Sequence, residues 1–409
     1  RCRAGRAARK RRHKQESAIQ SVSSVSLCHQ HKYVRLMRFL HQRGFSTRLL
    51  QPSAFTDTGR GLQVLKNVKP GQMLISLPES CLLTTSTVLN SYLGPFIKGW
   101  KRQVSPLLAL CVFLMCERHR GEARIGPYID VLQLHHLPIY FLKEANQFRS
   151  LQTILSQPVE DVLTYEALRW AWCSVNTRSV FMSHPSDTVL RGQDVYALAP
   201  FLDLLNHRPD VQVRAGFNEV TKCYEIRSVS GILRYQQAFI NYGSHDNQRL
   251  MLEYGFVAPR NPHSVVYVDK DLLADVLRGD QSLEQKLKFL RQNHFLHNLT
   301  VSGEGPSWRL MTALRLLSLP QTLYHHWRGV LLGQAVCEER EGWSIQTAKT
   351  LCHRLLADTH TALEQISNIQ QCEQSVREQL SVAAALRQEE RCLLASCLQA
   401  LAESRTSGH

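Results

Sequence analysis

Three short segments carry the side chains best suited to chemistry. Asp203-Leu-Leu-Asn206-His207 is followed by Ile240-Asn-Tyr242-Gly243 and then by Glu253-Tyr254-Gly-Phe256. Each alone is an ordinary strand-ending or helix-ending turn; their order and spacing set them apart. Tyr196 to Leu205 is an apolar run, so Asn206 and His207 are expected where a buried strand stops and backbone groups become free to hold a ligand. Ala238 to Tyr242 reads as a second strand. Ser244 to Asp246 supply capping side chains for a helix whose Leu250, Met251 and Tyr254 share one face, and Gly255 ends it. The turn between Tyr242 and Tyr254 would bring two phenols to the Asn-His pair, lining a cleft that has no metal and no obvious acid-base dyad.

Other elements must hold this cleft in place. Upstream, Thr58-Gly59-Arg60-Gly61 leads through Leu62-Gln-Val64 and a Lys69-Pro-Gly71 turn into Met73 to Pro78, which predicts a hairpin across that turn. Gly59 and Gly61 by themselves could simply relieve a bulge. Val34, Met37 and Leu40 at helical spacing, with Gly44 behind them, predict a helix from about Tyr33. Ser105 to Arg178 reads mainly as helix, in Leu107–Cys116, around Leu151–Leu155 and in Leu163–Val175. From about Pro259 the chain reads as helix upon helix, with Trp308, Met311, Leu314 and Leu317 repeating at spacing three and a long helical pattern over residues 344–402.

Composition bounds the answer. The chain has 409 residues and 44% hydrophobic content, enough for two or three domains with cores. Its longest apolar stretch, Leu107 to Cys116, falls short of the roughly 20 residues that span a bilayer and predicts a buried helix and no membrane segment. Twelve cysteines form no CxxC pair, so reduced, mostly buried thiols are expected, and no metal. His135-His136 and His325-His326 lack ligands at suitable spacing. Residues 1–50 hold thirteen Lys and Arg against the single acid Glu16, most of the net charge of +15. Arg9-Lys-Arg-Arg12 suits a nuclear-localisation or nucleic-acid-contacting arm; a solvated tail and an Arg- and Ser-rich transit peptide are the other readings. The sequence begins at Arg1, and an initiating Met is expected ahead of it.

Together, the Asn-His, Asn-Tyr-Gly and Glu-Tyr-Gly-Phe segments and the Gly-Arg-Gly strand resemble the SET-domain protein methyltransferases. The branch is that of Rubisco large-subunit methyltransferase, with Leu77-Pro-Glu-Ser-Cys-Leu-Leu-Thr84, Trp170 to Arg178 and His245-Asp-Asn-Gln-Arg249 as further matching signatures. The likeness runs from about Tyr33 to about Ala400. It implies an α+β fold: a SET domain of short β-sheets with a knotted core and a helical insertion (33–258, insertion about 90–190), then an all-α substrate-binding domain (259–402). A basic disordered arm (1–32) would precede them. The segment from Gly126 to Pro138 departs from the family in lacking the Trp usual soon after it, and the helices that follow are short.

The cofactor that the resemblance implies is S-adenosylmethionine. Asn206 and His207 would anchor it, Asp203 would support that segment, and Arg178 would bind its carboxylate. Gln72 and Leu74 match the upstream contacts, with Gln72 standing where the family often has Glu. Tyr242 would point its hydroxyl at the transferring methyl, and Tyr254 would line the acceptor lysine channel. The implied partner is a protein substrate, a histone tail or a non-histone lysine, in the nucleus and cytoplasm. The basic arm would add nucleosome or nucleic-acid contact. One relative in the branch methylates histidine but lacks the tyrosine of Glu-Tyr-Gly-Phe, and a non-catalytic adaptor is the reading from another class.

Overall fold

The computed structural model describes residues 24–99, 103–120, 125–132, 162–184, 189–369 and 372–403. The expected helix around Leu151–Leu155, the first 23 residues of the basic arm, and His135-His136 lie outside them. Among the described residues one compact unit ends at Gly243 and a second begins at Ser244. The helix Asn247–Tyr254, expected to close the first domain, packs within the second unit against the long C-terminal helix.

In the first unit the helix His31–His41 forms as its spacing predicts, and Gly44 follows it at φ +87°. Its buried face is Tyr33, Leu36, Phe39 and Leu40, while Val34 is exposed. Strand β1 (Ser24–Ser26), part of the expected arm, pairs with β2 (Leu50–Phe55), and β2 with β3 (Gly59–Val64). The hairpin therefore turns at Gly59, whose φ is +67°. The one expected across Lys69-Pro-Gly71 does not form. That turn exists, closed by the Gln72 amide donating to the Lys69 carbonyl at 3.1 Å with Gly71 at φ +78°. It sends the chain into a different sheet, because Val68 and Gly71 hydrogen-bond to Ile232 and Ser228 instead of back to β3.

Strand β4 (Met73–Pro78) belongs to that second sheet. Strands β5 (Ser179–Phe181) and β6 (Tyr196–Leu198) pair with each other, ahead of β7 (Asn206–His207), β8 (Val213–Asn218), β9 (Cys223–Ser228) and β10 (Gln237–Ile240). The sheet orders are β1-β2-β3-β10-β7 and β4-β9-β8. The helix Pro106–His119 is apolar nearly all round and buried on almost every side, as such a helix must be. Ser105 caps it, its hydroxyl accepting from the Leu108 amide at 3.2 Å. Leu36, Leu62, Val64, Leu110 and Phe201 are fully buried in one continuous core, each apolar side chain contributing about 1.5–3 kcal/mol.

The second unit is mostly helical, but β11 (Val266–Tyr267), β12 (Thr300–Ser302) and β13 (Gly305–Pro306) form a small sheet within the region expected to be all helix. Strands of two or three residues are too short to register as a period. The helices Trp308–Ser318, Glu338–Ser367 and Gln374–Glu403 enclose Leu314, Leu317, Leu351 and Leu394. Between the last two, the Cys352 and Cys397 sulfurs lie 3.7 Å apart. No helix among the described residues is long and apolar enough to cross a membrane. None of them gather as a group of three metal-ligating side chains.

Lys286 is buried here and donates to the Asp280 carboxylate at 2.6 Å and the Leu317 carbonyl at 2.7 Å. Burial pushes the Asp280 carboxyl up, but hydrogen bonds from Lys286 and Ser282 outweigh it and hold the pKa down to about 2. The folded value lies below the unfolded one near 3.9, so this contribution is complete above about pH 4 and is lost as the pH falls towards 2. Asp280→Asn is expected to remove that stretch of acid sensitivity from the second unit's unfolding, followed by circular dichroism against pH. An unchanged acid midpoint would exclude it.

Candidate active site

The site is assembled around β10, a central strand. It runs antiparallel to β3, with Ala238 opposite Leu62, and parallel to β7, with Phe239 opposite Asn206 and Ile240 opposite His207. The run from Tyr196 is therefore broken: β6, then a 3-10 turn Leu202–Leu204, then β7, so that Asn206 and His207 lie in a strand of their own. Phe201, at the start of that turn, takes φ +74° although fully buried. Such a conformation costs roughly 1–3 kcal/mol in a residue with a side chain. Packing against Phe45, ring centroids 5.2 Å apart, helps to hold it.

The Asn206 amide donates to the Arg60 carbonyl on β3 at 2.9 Å. Gly61 makes room for it: a Cβ there would stand 3.0 Å from the Asn206 amide nitrogen and 2.9 Å from that of Gln237. The glycine serves close approach between strands, and the β2–β3 register runs unbroken through it with no bulge.

Tyr242 is held at two points. Its backbone amide donates to His207 Nδ1 at 3.0 Å, and its hydroxyl donates to the Leu205 carbonyl at 2.7 Å. The rings lie 5.1 Å apart. Because Nδ1 accepts, the proton of the neutral imidazole is on Nε2. Because the phenol proton is committed to Leu205, the oxygen is an acceptor towards any other neighbour. Asn241 fixes the turn beyond, donating to the Pro209 carbonyl at 3.1 Å and accepting from the Gly243 amide at 2.9 Å.

Beneath β7 is a polar cluster. Asp203 is buried; its Oδ2 accepts from the Tyr128 hydroxyl at 2.9 Å, and its carbonyl accepts from Arg178 at 2.8 Å. Its Oδ1 is buried with no hydrogen-bond partner among the described residues. Burial raises the Asp203 carboxyl, against the opposing pull of Arg178, Arg60 and the Tyr128 hydrogen bond. Burial, then the Asp203 charge, holds the Tyr128 phenol well above its ordinary range. Arg178 ends the helix Tyr165–Arg178, which the Thr164 hydroxyl caps.

The expected residues thus divide. Asp203, Asn206, His207, Tyr242 and Arg178 share one neighbourhood. Gln72 and Leu74 belong to the other sheet's margin. The Gln72 side chain accepts from the Lys69 amide at 2.9 Å. Leu74 is buried in a β-bulge, between Met73 opposite Arg227 and Ile75 opposite Ile226, so its backbone stands out of the ladder. Tyr254 is in the second unit, at the end of a helix that Asp246 caps and Gly255 closes at φ +80°. Its ring stacks on His245 at 6.0 Å, and burial raises its phenol. Arg60, Tyr128 and Tyr33 are residues of the cluster that the sequence reading missed. A charged residue between two glycines in an apolar strand was the available signal for Arg60.

Comparison with known proteins places this geometry. A family model described as the Rubisco LSMT substrate-binding domain matches residues 278–394. SET domain-containing protein 4 of Mus musculus is 41% identical over 430 residues, covering 98% of both chains. Its Homo sapiens counterpart is 38% identical, again over 98% of each. The Homo sapiens Actin-histidine N-methyltransferase is 27% identical over 57% of this chain and 43% of its own. A solved SET domain of LSMT, bound to lysine and AdoHcy, superposes with a TM-score of 0.60 at 18% identity, over 92% of each chain.

Proposed function

This chain belongs to the SET domain-containing protein 4 family, in the Rubisco methyltransferase-like branch of SET-domain methyltransferases, and from that premise we propose that it methylates lysine side chains of proteins using S-adenosylmethionine. The observation that carries the reading is Tyr242, pinned through both its amide and its hydroxyl to the 205–207 segment.

The residues present fit the cofactor. The buried Asp203 Oδ1, without a donor among the described residues, suits an ammonium, and Arg178 in the same cluster suits a carboxylate. Asn206, with its amide nitrogen turned to β3, offers its backbone and side-chain carbonyl, and His207 offers its backbone. The backbone of Leu74 at its bulge supplies the upstream edge, beside Gln72, whose own amide and carbonyl are engaged with Lys69 and Ser228. When bound, S-adenosylmethionine supplies a methyl group on a sulfonium centre. The protein must then align an uncharged amine with it. At pH 7 removing the lysine proton costs about 4–5 kcal/mol, which a poorly hydrated channel reduces. The Tyr242 oxygen, polarised by donating to Leu205, presents lone pairs to positive charge developing at the transferred carbon.

Lysine is favoured over histidine by Tyr254, the residue in Glu-Tyr-Gly-Phe that the histidine-modifying relative lacks, and its part in holding the acceptor rests on that motif. The lysine found with the solved LSMT SET domain supports the same choice. The charge of the first fifty residues supports contact with nucleosomal or other nucleic acid and a nuclear as well as a cytoplasmic location, while histone tails and non-histone lysines as substrates rest on the family resemblance.

Nuclear and cytosolic extracts incubated with the protein and isotopically labelled S-adenosylmethionine test these points together, with the modified residue mapped by mass spectrometry. Label on lysine is expected, in histones of the nuclear fraction. Label on histidine alone would replace the lysine reading. Its absence from histones would remove the chromatin part, and no transfer at all would leave an adaptor.

A further inference from the structure

Two nucleophilic side chains in the second unit are left without a task by the proposed function. Cys352, on the helix Glu338–Ser367, and Cys397, on the helix Gln374–Glu403, are both fully buried, and their sulfurs are in hydrogen-bond contact at 3.7 Å. Ala348 and Leu351 on the first helix and Leu394 and Leu401 on the second are buried in the same apolar core. A single buried thiol is an inert, small apolar side chain. Two in contact have a reaction open to them. A disulfide holds its sulfurs about 2.05 Å apart, and the remaining gap of about 1.7 Å is within the swing of the two side chains about their Cα–Cβ bonds. The hydrogen bond between the sulfurs lowers the Cys397 pKa against the effect of burial. The same bond, together with burial, raises that of Cys352. Since the thiolate is the reactive form, the pair holds an attacking sulfur beside one that keeps its proton.

We propose that Cys352 and Cys397 are a redox modification site, oxidised by hydrogen peroxide to a reversible disulfide that staples the two long helices together. The Cys397 thiolate attacks one peroxide oxygen and breaks the O–O bond, leaving a sulfenic acid on Cys397 and a hydroxide that recovers the released proton to become water. The Cys352 sulfur then attacks the Cys397 sulfur. The S–S bond forms as the S–O bond breaks, and the departing oxygen leaves as a second water with the Cys352 proton. Two electrons pass from the sulfurs to the peroxide. Hydrogen peroxide is small enough to reach the buried sulfurs through local opening of the core. The bond would close 45 positions of sequence, and its main effect is to restrict the unfolded chain.

The test exposes the reduced, folded full chain to hydrogen peroxide, blocks the remaining thiols by alkylation and maps the peptides by mass spectrometry, with thermal unfolding followed on the same samples. A peptide pair joined through Cys352 and Cys397 is expected, together with a midpoint for the second unit raised by roughly 5–10 °C, both reversed by dithiothreitol. Cys352→Ala is expected to abolish the link and the rise in midpoint. Should that variant fail to fold, the peptide map of the wild type decides alone. Both thiols recovered alkylated while the exposed Cys392 is oxidised would overturn the proposal. So would a link from Cys397 to Cys392 in place of Cys352, a link formed only after unfolding, or a rise in midpoint that survives in Cys352→Ala.

Discussion

Tyr242→Phe lowers the rate of methyl transfer by about 10²-fold or more, the scale of losing one positioned polar group at a transition state, while cofactor affinity stays within about twofold. The split follows from the two ways the residue is held. The bond from its amide to His207 Nδ1 belongs to the backbone and survives the change, so β7 and the turn keep their places. The hydroxyl is removed, and with it the bond to Leu205 and the lone pairs to which the proposed function assigns the developing charge. Leaving that carbonyl without its partner costs about 1 kcal/mol of stability, too little to unfold the unit. Single-turnover kinetics beside calorimetry read both quantities. Unchanged turnover would sink the assignment of Tyr242, and a parallel loss of affinity would recast it as a binding residue.

Asn206→Ala weakens S-adenosylmethionine by roughly 1–3 kcal/mol, between about fivefold and 150-fold. The amide joins β7 to the Arg60 carbonyl across β3, and alanine abandons that bond beside the space left by Gly61. Asn206→Asp sharpens the experiment, since it keeps the shape but sets a carboxylate oxygen against the Arg60 carbonyl. It is expected to bind more weakly than the alanine variant, by calorimetry. Wild-type affinity in either variant would move the cofactor away from Asn206.

What could be read in advance follows the range of the interactions. The Asp246 cap, the Gly255 stop, the helix around Leu107–Cys116 and a strand beginning near Ala238 depend on neighbours a few residues away, and each was legible, although that strand stops at Ile240, two residues short of the expected Tyr242. So was the gathering of Asp203, Asn206, His207 and Tyr242, because two of these segments are short strands that pair side by side. The partner of β3 was not legible: the turn at Lys69-Pro-Gly71 has the chemistry of a hairpin, but only the 228–232 loop, far along the chain, decides where it leads. Arg60 and Tyr128 escaped for the same reason, their partners lying 146 and 75 residues away. The buried face of the first helix was misplaced because Val34 and Leu36 both suit an apolar stripe, and only the packed sheet chooses between them.

The position of β10 between β3 and β7 bears on how the protein is made. A chain leaving the ribosome presents β3 long before the residues that will cover its free edge. During that interval β3 can pair with β2 alone, and its other side is an open row of donors and acceptors of the kind that recruits stray strands. When residues 237–240 arrive they close the edge and bring His207 to the amide of Tyr242 in the same step. The bond between His207 and the Tyr242 amide waits for this pairing, so protection of the sheet edge and completion of the candidate site are coupled in synthesis.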